Sequence, residues 1–157
     1  MKLKALWTIL ILAVFLAAAS LAGAESGFSL EVFAMDTVFT DLDLQQEADL
    51  SGAEYLTVSD GARLVIESPG VYVLSGTASD ATVTVKAGKK DRVQLVLDGL
   101  SIVNESEPCI SIQKADRVFI TTTESRNALE VIGYFTGSEK AVIYAGKDLT
   151  LNGKGQL

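Results

Sequence analysis

Short segments that recur in a fixed order constrain the fold of this chain more than any other feature. Three stretches, VTVKAGKKDRVQLVLDG, ISIQKADRVFITTTE and VIYAGKDLTLNGKG, each contain a strand, a short corner with Ala or Gly, an Asp and a second strand. The corner residues Asp91, Asp116 and Asp148 are separated by 25 and 32 residues. Because a period in the twenties with several short strands and no helix is typical of a solenoid, the sequence predicts a parallel β-helix.

The wider pattern over residues 62–157 supports an all-β fold. Runs of four to seven residues alternate apolar and polar side chains and are rich in Val, Ile, Leu and Thr, as strands are. Gly, Asp and Asn separate these runs, and Asn104 and Asn127 at strand ends are predicted to serve corners. A β-sandwich also has regular short strands, but it gives no reason for one strand and corner order to repeat in register. We therefore favour a parallel β-helix domain over residues 62–157.

Stacking the repeats predicts which side chains face the interior. Each coil would cover the apolar residues of its neighbour and so bury a continuous column. The predicted inward residues are, repeat by repeat, Val83, Val85, Val93 and Leu95; Ile110, Ile112, Val118 and Ile120; and Val142, Tyr144, Leu149 and Leu151.

Residues 1–24 are typical of a signal peptide. Two lysines precede an apolar run from Leu6 to Ala19, and small residues follow it. The run has 14 residues, whereas about 20 are needed to cross a bilayer, so cleavage before Glu25 is expected. We therefore predict a secreted protein with no membrane segment after cleavage. Residues 25–61 are predicted to be an N-terminal capping segment.

Charge and residue types argue against two kinds of chemistry. The formal net charge is −7, and loss of the signal peptide with its two lysines moves it to −9. A nucleic-acid binder needs Lys and Arg to neutralise phosphates, so nucleic acid is not an expected partner. The chain has no His, which removes the commonest zinc ligand and general base. Cys109 has no partner for a disulfide and is predicted to be a buried apolar residue.

Three segments carry a resemblance to a known family: VYVLSGT at 71–77, VQLVLDG at 93–99 and DLTLNG at 148–153. Over residues 62–157 the sequence resembles secreted bacterial carbohydrate-binding domains, whose right-handed parallel β-helix is related to that of pectate lyases. The resemblance implies non-catalytic binding of plant cell-wall polysaccharides, cellulose and pectic acids, with calcium bound on the surface. Together with the signal peptide, it predicts a protein outside the cell, either free or held at the cell surface.

The chain departs from that family in two ways. It stops at Leu157 after one strand of a coil, whereas the family continues through further coils, and the predicted mature part has no Trp. An uncapped solenoid end exposes backbone groups and apolar side chains. We therefore expect a β-helix that is incomplete at its C-terminus, with self-association through the open C-terminal end.

Aromatic side chains are candidates for sugar binding because their rings pack against the apolar faces of sugar rings. Phe119 alternates out of phase with Val118 and Ile120, which predicts that it faces outward. Tyr134 and Phe135 are adjacent in a loop inserted before the last repeat, and loops on rigid scaffolds often carry function. The predicted carbohydrate-binding residues are therefore Phe119, Tyr134 and Phe135.

The corner aspartates suggest a metal site. In a β-helix Asp91, Asp116 and Asp148 would form a column with about 4.8 Å between coils, and carboxylates are ligands for Ca²⁺. Bound calcium would also bridge an acidic protein to an acidic polymer such as pectate. Alternatively, each carboxylate accepts backbone N–H bonds at its corner or pairs with a neighbour such as Arg92 or Arg117.

Two other functions are compatible with the same sequence. Lyases of the related fold use calcium with an Arg or Lys base, and Arg92 and Arg117 stand beside the aspartates. A structural or adhesive surface protein would use the solenoid without a sugar site. We favour a non-enzymatic, calcium-assisted protein that binds a pectate- or cellulose-type polysaccharide.

Overall fold

The computed structural model describes residues 39–157. The predicted signal peptide and the first part of the predicted capping segment lie outside the described residues. Among residues 39–157, no helix has the length and the apolar character that a membrane crossing requires.

Strands make up nearly all of the regular structure in this range. One short helix, α1 (Asp41–Leu44), precedes them. The strands are β1 (Glu54–Thr57), β2 (Arg63–Ile66), β3 (Gly70–Ser79), β4 (Thr82–Lys86), β5 (Arg92–Asn104), β6 (Ile110–Lys114), β7 (Arg117–Thr122), β8 (Ala128–Val131), β9 (Ile143–Ala145) and β10 (Asp148–Gly153).

These strands form two sheets in which the paired strands run parallel. Sheet A has the order β1-β3-β5-β7-β10, with β8 beside the second half of β5, and sheet B has the order β2-β4-β6-β9. Along the chain, each strand of sheet B follows a strand of sheet A. The predicted all-β class is confirmed. The parallel pairing also differs from the antiparallel sheets of an immunoglobulin-like sandwich.

Apolar side chains in register form the core. The eight predicted inward residues of the first two repeats are fully buried in one cluster that both sheets share: Val83, Val85, Val93, Leu95, Ile110, Ile112, Val118 and Ile120. In the third repeat Leu149 and Leu151 pair with Val118 and Ile120, as the stacking predicts, but Leu151 stays 59% exposed because β10 is the edge strand of the sheet. Each repeat therefore places its apolar residues on those of the next, which removes their surfaces from water.

In sheet B the third repeat is displaced by one residue from the predicted register. Ile143, rather than Val142, pairs with Ile110, and Tyr144 pairs with Ser111. Because successive side chains of a strand point to opposite sides, this shift turns Ile143 to the core and Tyr144 to the outer side. The prediction that Tyr144 faces the interior is therefore wrong, and its side chain is half-buried.

The segment predicted as an N-terminal cap supplies one edge strand of sheet A and contacts the strand at the other edge. β1 lies within residues 25–61 and pairs with β3 as the first strand of the sheet, so the sheet begins before residue 62. The helix α1 contacts β10, which is at the other edge of the same sheet.

Two buried asparagines hold bends of the chain in sheet A, one between β3 and β4 and one inside β5. The Asn104 side chain accepts a hydrogen bond from the backbone N–H of Ala81 at 2.9 Å and donates to its carbonyl at 2.8 Å. The Asn127 side chain accepts from the backbone N–H of Leu100 at 2.9 Å. Both side chains thus satisfy backbone groups of the preceding repeat, and their predicted corner role is confirmed.

Glycine allows β5 to bend without ending. Gly99 has φ +73°, with neither strand neighbour nor side chain within 4 Å of the position a Cβ would take. The turn residues Asp98 and Gly99 thus form a bend inside one long strand. The second half of β5 begins at Leu100, where the pairing with β3 resumes at Gly76 after a register shift.

Cys109 is a core residue, as predicted. Its side chain is fully buried, and its Sγ lies 3.7 Å from the carbonyl oxygen of Ile102 and 3.5 Å from that of Glu130. Burial raises the pKa of the Cys109 thiol, so the reactive thiolate is disfavoured.

The Asn104 contacts predict the effect of a substitution on stability. We expect Asn104→Ala to lower the free energy of unfolding by about 2 kcal/mol, because the buried backbone groups of Ala81 lose their partner. Urea denaturation followed by circular dichroism measures this change. Thr77→Ala, at an exposed position of β3, serves as the control and should change stability by less than about 0.5 kcal/mol. Equal stability of the two variants would contradict the role assigned to Asn104.

Candidate functional site

Phe119 lies on the outer side of sheet A, but it is only 2% exposed and does not belong to the central core cluster. The Asp43 side chain in α1 binds Arg117, two residues before Phe119, and Thr150, the register partner of Phe119. The helix therefore lies over this part of the sheet. Phe119 therefore points to the outer side of the sheet, as predicted, but its covered ring is not available to a sugar, because alternation along a strand does not reveal what covers its outer side.

Asp43 anchors the covering segment, residues 39–50, which we call the strap. Its carboxylate accepts hydrogen bonds from the hydroxyl of Thr40 at 2.7 Å, the backbone N–H of Thr40 at 2.8 Å and the hydroxyl of Thr150 at 2.7 Å. Arg117 Nη1 lies 3.1 Å from the same group, whose side chain is 6% exposed. The two Thr40 hydrogen bonds and that from Thr150, with the Arg117 charge, hold the pKa of Asp43 well below its usual range.

Two further contacts attach the strap to β10 and the residue that follows it. Asn152 Nδ2 donates to the carbonyl of Leu42 at 2.9 Å, and the Lys154 amino group pairs with the Glu47 carboxylate. This lysine lowers the pKa of Glu47 through its hydrogen bond and its charge. The outer side of sheet A near β7 and β10 is therefore occupied by the chain itself.

Each of the three corner aspartates has a local partner. Asp91 accepts a hydrogen bond from the backbone N–H of Gly88 at 2.8 Å. The Asp116 carboxylate lies 3.6 Å from Arg92, and that of Asp148 lies 3.8 Å from Arg117. These are the contacts of the alternative interpretation, in which the carboxylates serve corners and ion pairs. The two arginines considered as lyase bases are engaged in the same pairs.

The aspartates also do not form one column. Asp148 pairs in register with Arg117 rather than with the residue before it, Asp116. By this register Lys147, rather than Asp148, lies beside Asp116 on the next strand. The side chain of Asp148 therefore points to the opposite side of its strand. Across residues 39–157, no group of three or more His, Cys, Asp or Glu side chains is placed to hold a metal ion. Asp91, Asp116 and Asp148 thus do not fit a single calcium site.

Lysines, not carboxylates, dominate the surface at these corners. Five of the 13 basic residues of the chain lie where sheet B leads into sheet A, and all five are exposed: Lys86, Lys89, Lys90, Lys114 and Lys147. In the part of the chain that the structure describes, none of their amino groups has a carboxylate oxygen within 4.0 Å. We call this set the lysine edge. The corner motifs AGKKD, QKAD and AGKD all contain Lys before the repeating Asp, so the sequence carries this signal.

The outer side of sheet B carries an open groove of about 320 Å³. The inserted loop that precedes β9 forms one wall of the groove, and the outward side chains of β4 and β6 form its floor. Its polar lining includes Arg63, Thr82, Thr84, Glu107, Ser111, Gln113, Thr136, Ser138 and Glu139.

Glu139 joins the loop to the floor of the groove. One oxygen of its carboxylate accepts a hydrogen bond from Ser111 Oγ at 2.6 Å, and the other accepts from Gln113 Nε2 at 3.0 Å. At the other end of the groove Arg63 Nη2 lies 3.2 Å from the carboxylate of Glu107. The groove therefore presents hydroxyl, amide and carboxylate groups whose positions are set by contacts with one another.

The predicted loop aromatics border this region without lining the groove. Tyr134 is 93% exposed and Phe135 is half-buried, and the next four residues of the loop line the groove wall. Tyr144 lies on the outer side of sheet B beside Ser111, with ring atoms within 3.8 Å of the position a Cβ at Gly146 would take. The sequence prediction missed Tyr144 because the loop shifts the register of β9.

Comparisons with known proteins agree on one family. Residues 60–157 match the family model described as "Carbohydrate-binding domain-containing protein". A protein of the same description from Acetivibrio thermocellus is 33% identical over 109 residues, which cover 65% of this chain and 38% of that relative. The chain thus spans well under half the length of the relative. No solved structure matches the chain.

The Asp43 network predicts a dependence of stability on pH. Because folding lowers the pKa of Asp43, its contribution is present above the ordinary carboxyl value of 3.8 and is lost as the pH falls below it. We expect Asp43→Asn to melt at a lower temperature than the wild type at about pH 7. The difference should shrink towards about pH 3, because the carboxyl group of the unfolded chain takes up a proton there whereas the folded Asp43 carboxylate keeps its charge.

Thermal denaturation followed by circular dichroism at several pH values measures this effect. Asp41→Asn is the matched control, because it removes the same charge from an exposed position of the same helix. A difference between Asp43→Asn and the wild type that does not change with pH would contradict the prediction.

Proposed function

Since the chain belongs to the family of carbohydrate-binding domain-containing proteins, we propose that it binds a plant cell-wall polysaccharide of the pectic-acid or cellulose type without cleaving it. The family assignment supports a carbohydrate-binding role. The type of polysaccharide follows from the sequence resemblance. A place of action outside the cell follows from the pattern of residues 1–24.

The fold proposed to support this role is a right-handed parallel β-helix, with sheets A and B as faces of one solenoid. Three observations support it. Each sheet pairs a strand of one repeat with the matching strand of the next, in parallel. The chain moves between the sheets within every repeat, and side chains of both sheets share one core cluster. Such a scaffold leaves regular, rigid faces on which a long polymer can lie.

The groove on sheet B is the observation that carries the proposal. Sugar hydroxyl groups both donate and accept hydrogen bonds, and the groove offers both kinds of group on Ser111, Gln113 and Glu139. The carboxylate of Glu139 is held at both oxygens yet retains unused lone pairs, so it can accept hydroxyl donors without reorganising. Tyr144, on the next strand, supplies an aromatic surface for the apolar face of a sugar ring.

The role of Glu139 can be tested by a substitution that keeps its shape. We expect Glu139→Gln to weaken binding of a soluble oligosaccharide by about tenfold or more, because a hydrogen bond to a charged group contributes about 1.5–3 kcal/mol. Isothermal titration calorimetry with a cello-oligosaccharide and an oligogalacturonide measures the change. Melting curves should show that both proteins are folded.

Glu130→Gln is the matched control, since it removes one exposed carboxylate from β8, away from the groove. It should bind as the wild type does. If Tyr134→Ala abolishes binding while Glu139→Gln has no effect, the sugar site is at the tip of the loop and the groove assignment is wrong.

The non-catalytic part of the proposal has a separate test. Incubation with polygalacturonate, with and without added calcium, should release no unsaturated uronides, because the arginines beside the corner aspartates are held in ion pairs. The ultraviolet absorbance of the reaction mixture measures this product. A steady rise in absorbance that depends on the protein would establish a lyase.

A further inference from the structure

We propose that Lys86, Lys114 and Lys147 bind the acidic groups of a glycan directly, without a bridging calcium ion. This inference rests on the proposed function. It adds a positively charged contact surface to the polar groove on sheet B. It assigns acid recognition to the lysine edge, whereas the sequence resemblance assigns calcium to the surface.

The three lysines lie at the same corner of three successive repeats and form a column there. Lys86 and Lys114 are direct register partners in sheet B. Lys147 follows Ala145, the register partner of Ile112, by two residues and lies directly before Asp148, the register partner of Arg117, so it lies at the same corner of the next repeat. Neighbouring strands are about 4.8 Å apart. Three amino groups therefore succeed one another across three repeats.

This column is unfavourable for the folded protein by itself. Like charges directly opposite one another on neighbouring strands destabilise a sheet. None of the three amino groups has a carboxylate within 4.0 Å in the described residues. The nearby Asp116 and Asp148 are committed to Arg92 and Arg117. An anionic ligand would relieve the repulsion and gain charge-assisted hydrogen bonds.

The column adjoins the groove on sheet B. Lys86 follows the groove residue Thr84 by two positions, and Lys114 follows the groove residue Gln113 directly. Lys89 and Lys90 extend the positive charge along the corner that follows Lys86. A polymer seated in the groove therefore meets the lysine edge if it runs past Thr84 and Gln113 towards the corner between sheets B and A.

A polyuronate matches this arrangement because it carries one carboxylate on every sugar. Its hydroxyls and rings suit the groove, and its repeated acid groups suit a row of exposed lysines. The formal net charge of −7 would repel such a polymer at long range, but salt screens distant charges within about 10 Å. Short-range contact with the local cluster of five lysines thus determines whether the polymer binds.

Binding of polygalacturonate by the triple variant Lys86→Gln/Lys114→Gln/Lys147→Gln tests the proposal. We expect affinity electrophoresis to show a loss of at least tenfold in affinity for polygalacturonate, with a neutral glucan bound as by the wild type.

The triple variant with Arg at the same positions should retain binding, since it keeps the charge. Arg126→Gln, which removes an exposed cation on another face, should also retain it. The wild type should bind polygalacturonate equally in excess chelator, and more weakly as salt rises.

Three results would overturn the proposal. One is unchanged polygalacturonate binding by the triple Gln variant. The second is loss of wild-type binding in chelator with recovery on adding calcium. The third is tighter binding of a single-stranded nucleic acid than of polygalacturonate. A wild type that binds the neutral glucan but not polygalacturonate refutes only this inference, whereas one that binds neither refutes the proposed function as well.

Discussion

Parallel pairing of each repeat with the next, in strict register, is the constraint on which the rest of the structure depends. It places Val93 against Val118 in sheet A and Val83 against Ile110 in sheet B, all fully buried. Because side chains alternate between the two sides of a strand, the same register also builds columns on the outside. The apolar core and the surface chemistry therefore have one origin, and a shift of one residue changes both.

The two sheets differ in what lies on their outer sides. The strap is fastened to β7 and β10 through Asp43, Leu42 and Glu47, and it occupies the region around Phe119. Sheet B has an open groove in the corresponding position, where the inserted loop stands above the strands instead of closing over them. The strap thus covers part of the outer side of sheet A, whereas the groove on sheet B stays open.

Local pairing of charge gives the corners a surface that the net charge of the chain does not describe. At the corners, the Asp116 and Asp148 carboxylates lie beside guanidinium groups, and Asp91 is used by the backbone of its own turn. The lysines of the same corners have no such partners among the described residues. An acidic protein therefore presents a positive edge next to a polar groove, and these are the two surfaces to which we propose that an acidic sugar polymer binds.

The sequence by itself determined the all-β repeat, the inward columns of the first two repeats, the corner roles of Asn104 and Asn127 and the burial of Cys109. These follow from alternation and turn chemistry, which are local properties of the chain. Only the tertiary structure decided that Phe119 is covered, that Tyr144 faces outward and that the corner aspartates pair with backbone and arginine. Alternation assigns a side chain to one side of a strand only relative to a known register. The inserted loop before β9 shifted that register, and the strap that covers sheet A is brought there by contacts between residues about 70 to 110 positions apart, which no local pattern records.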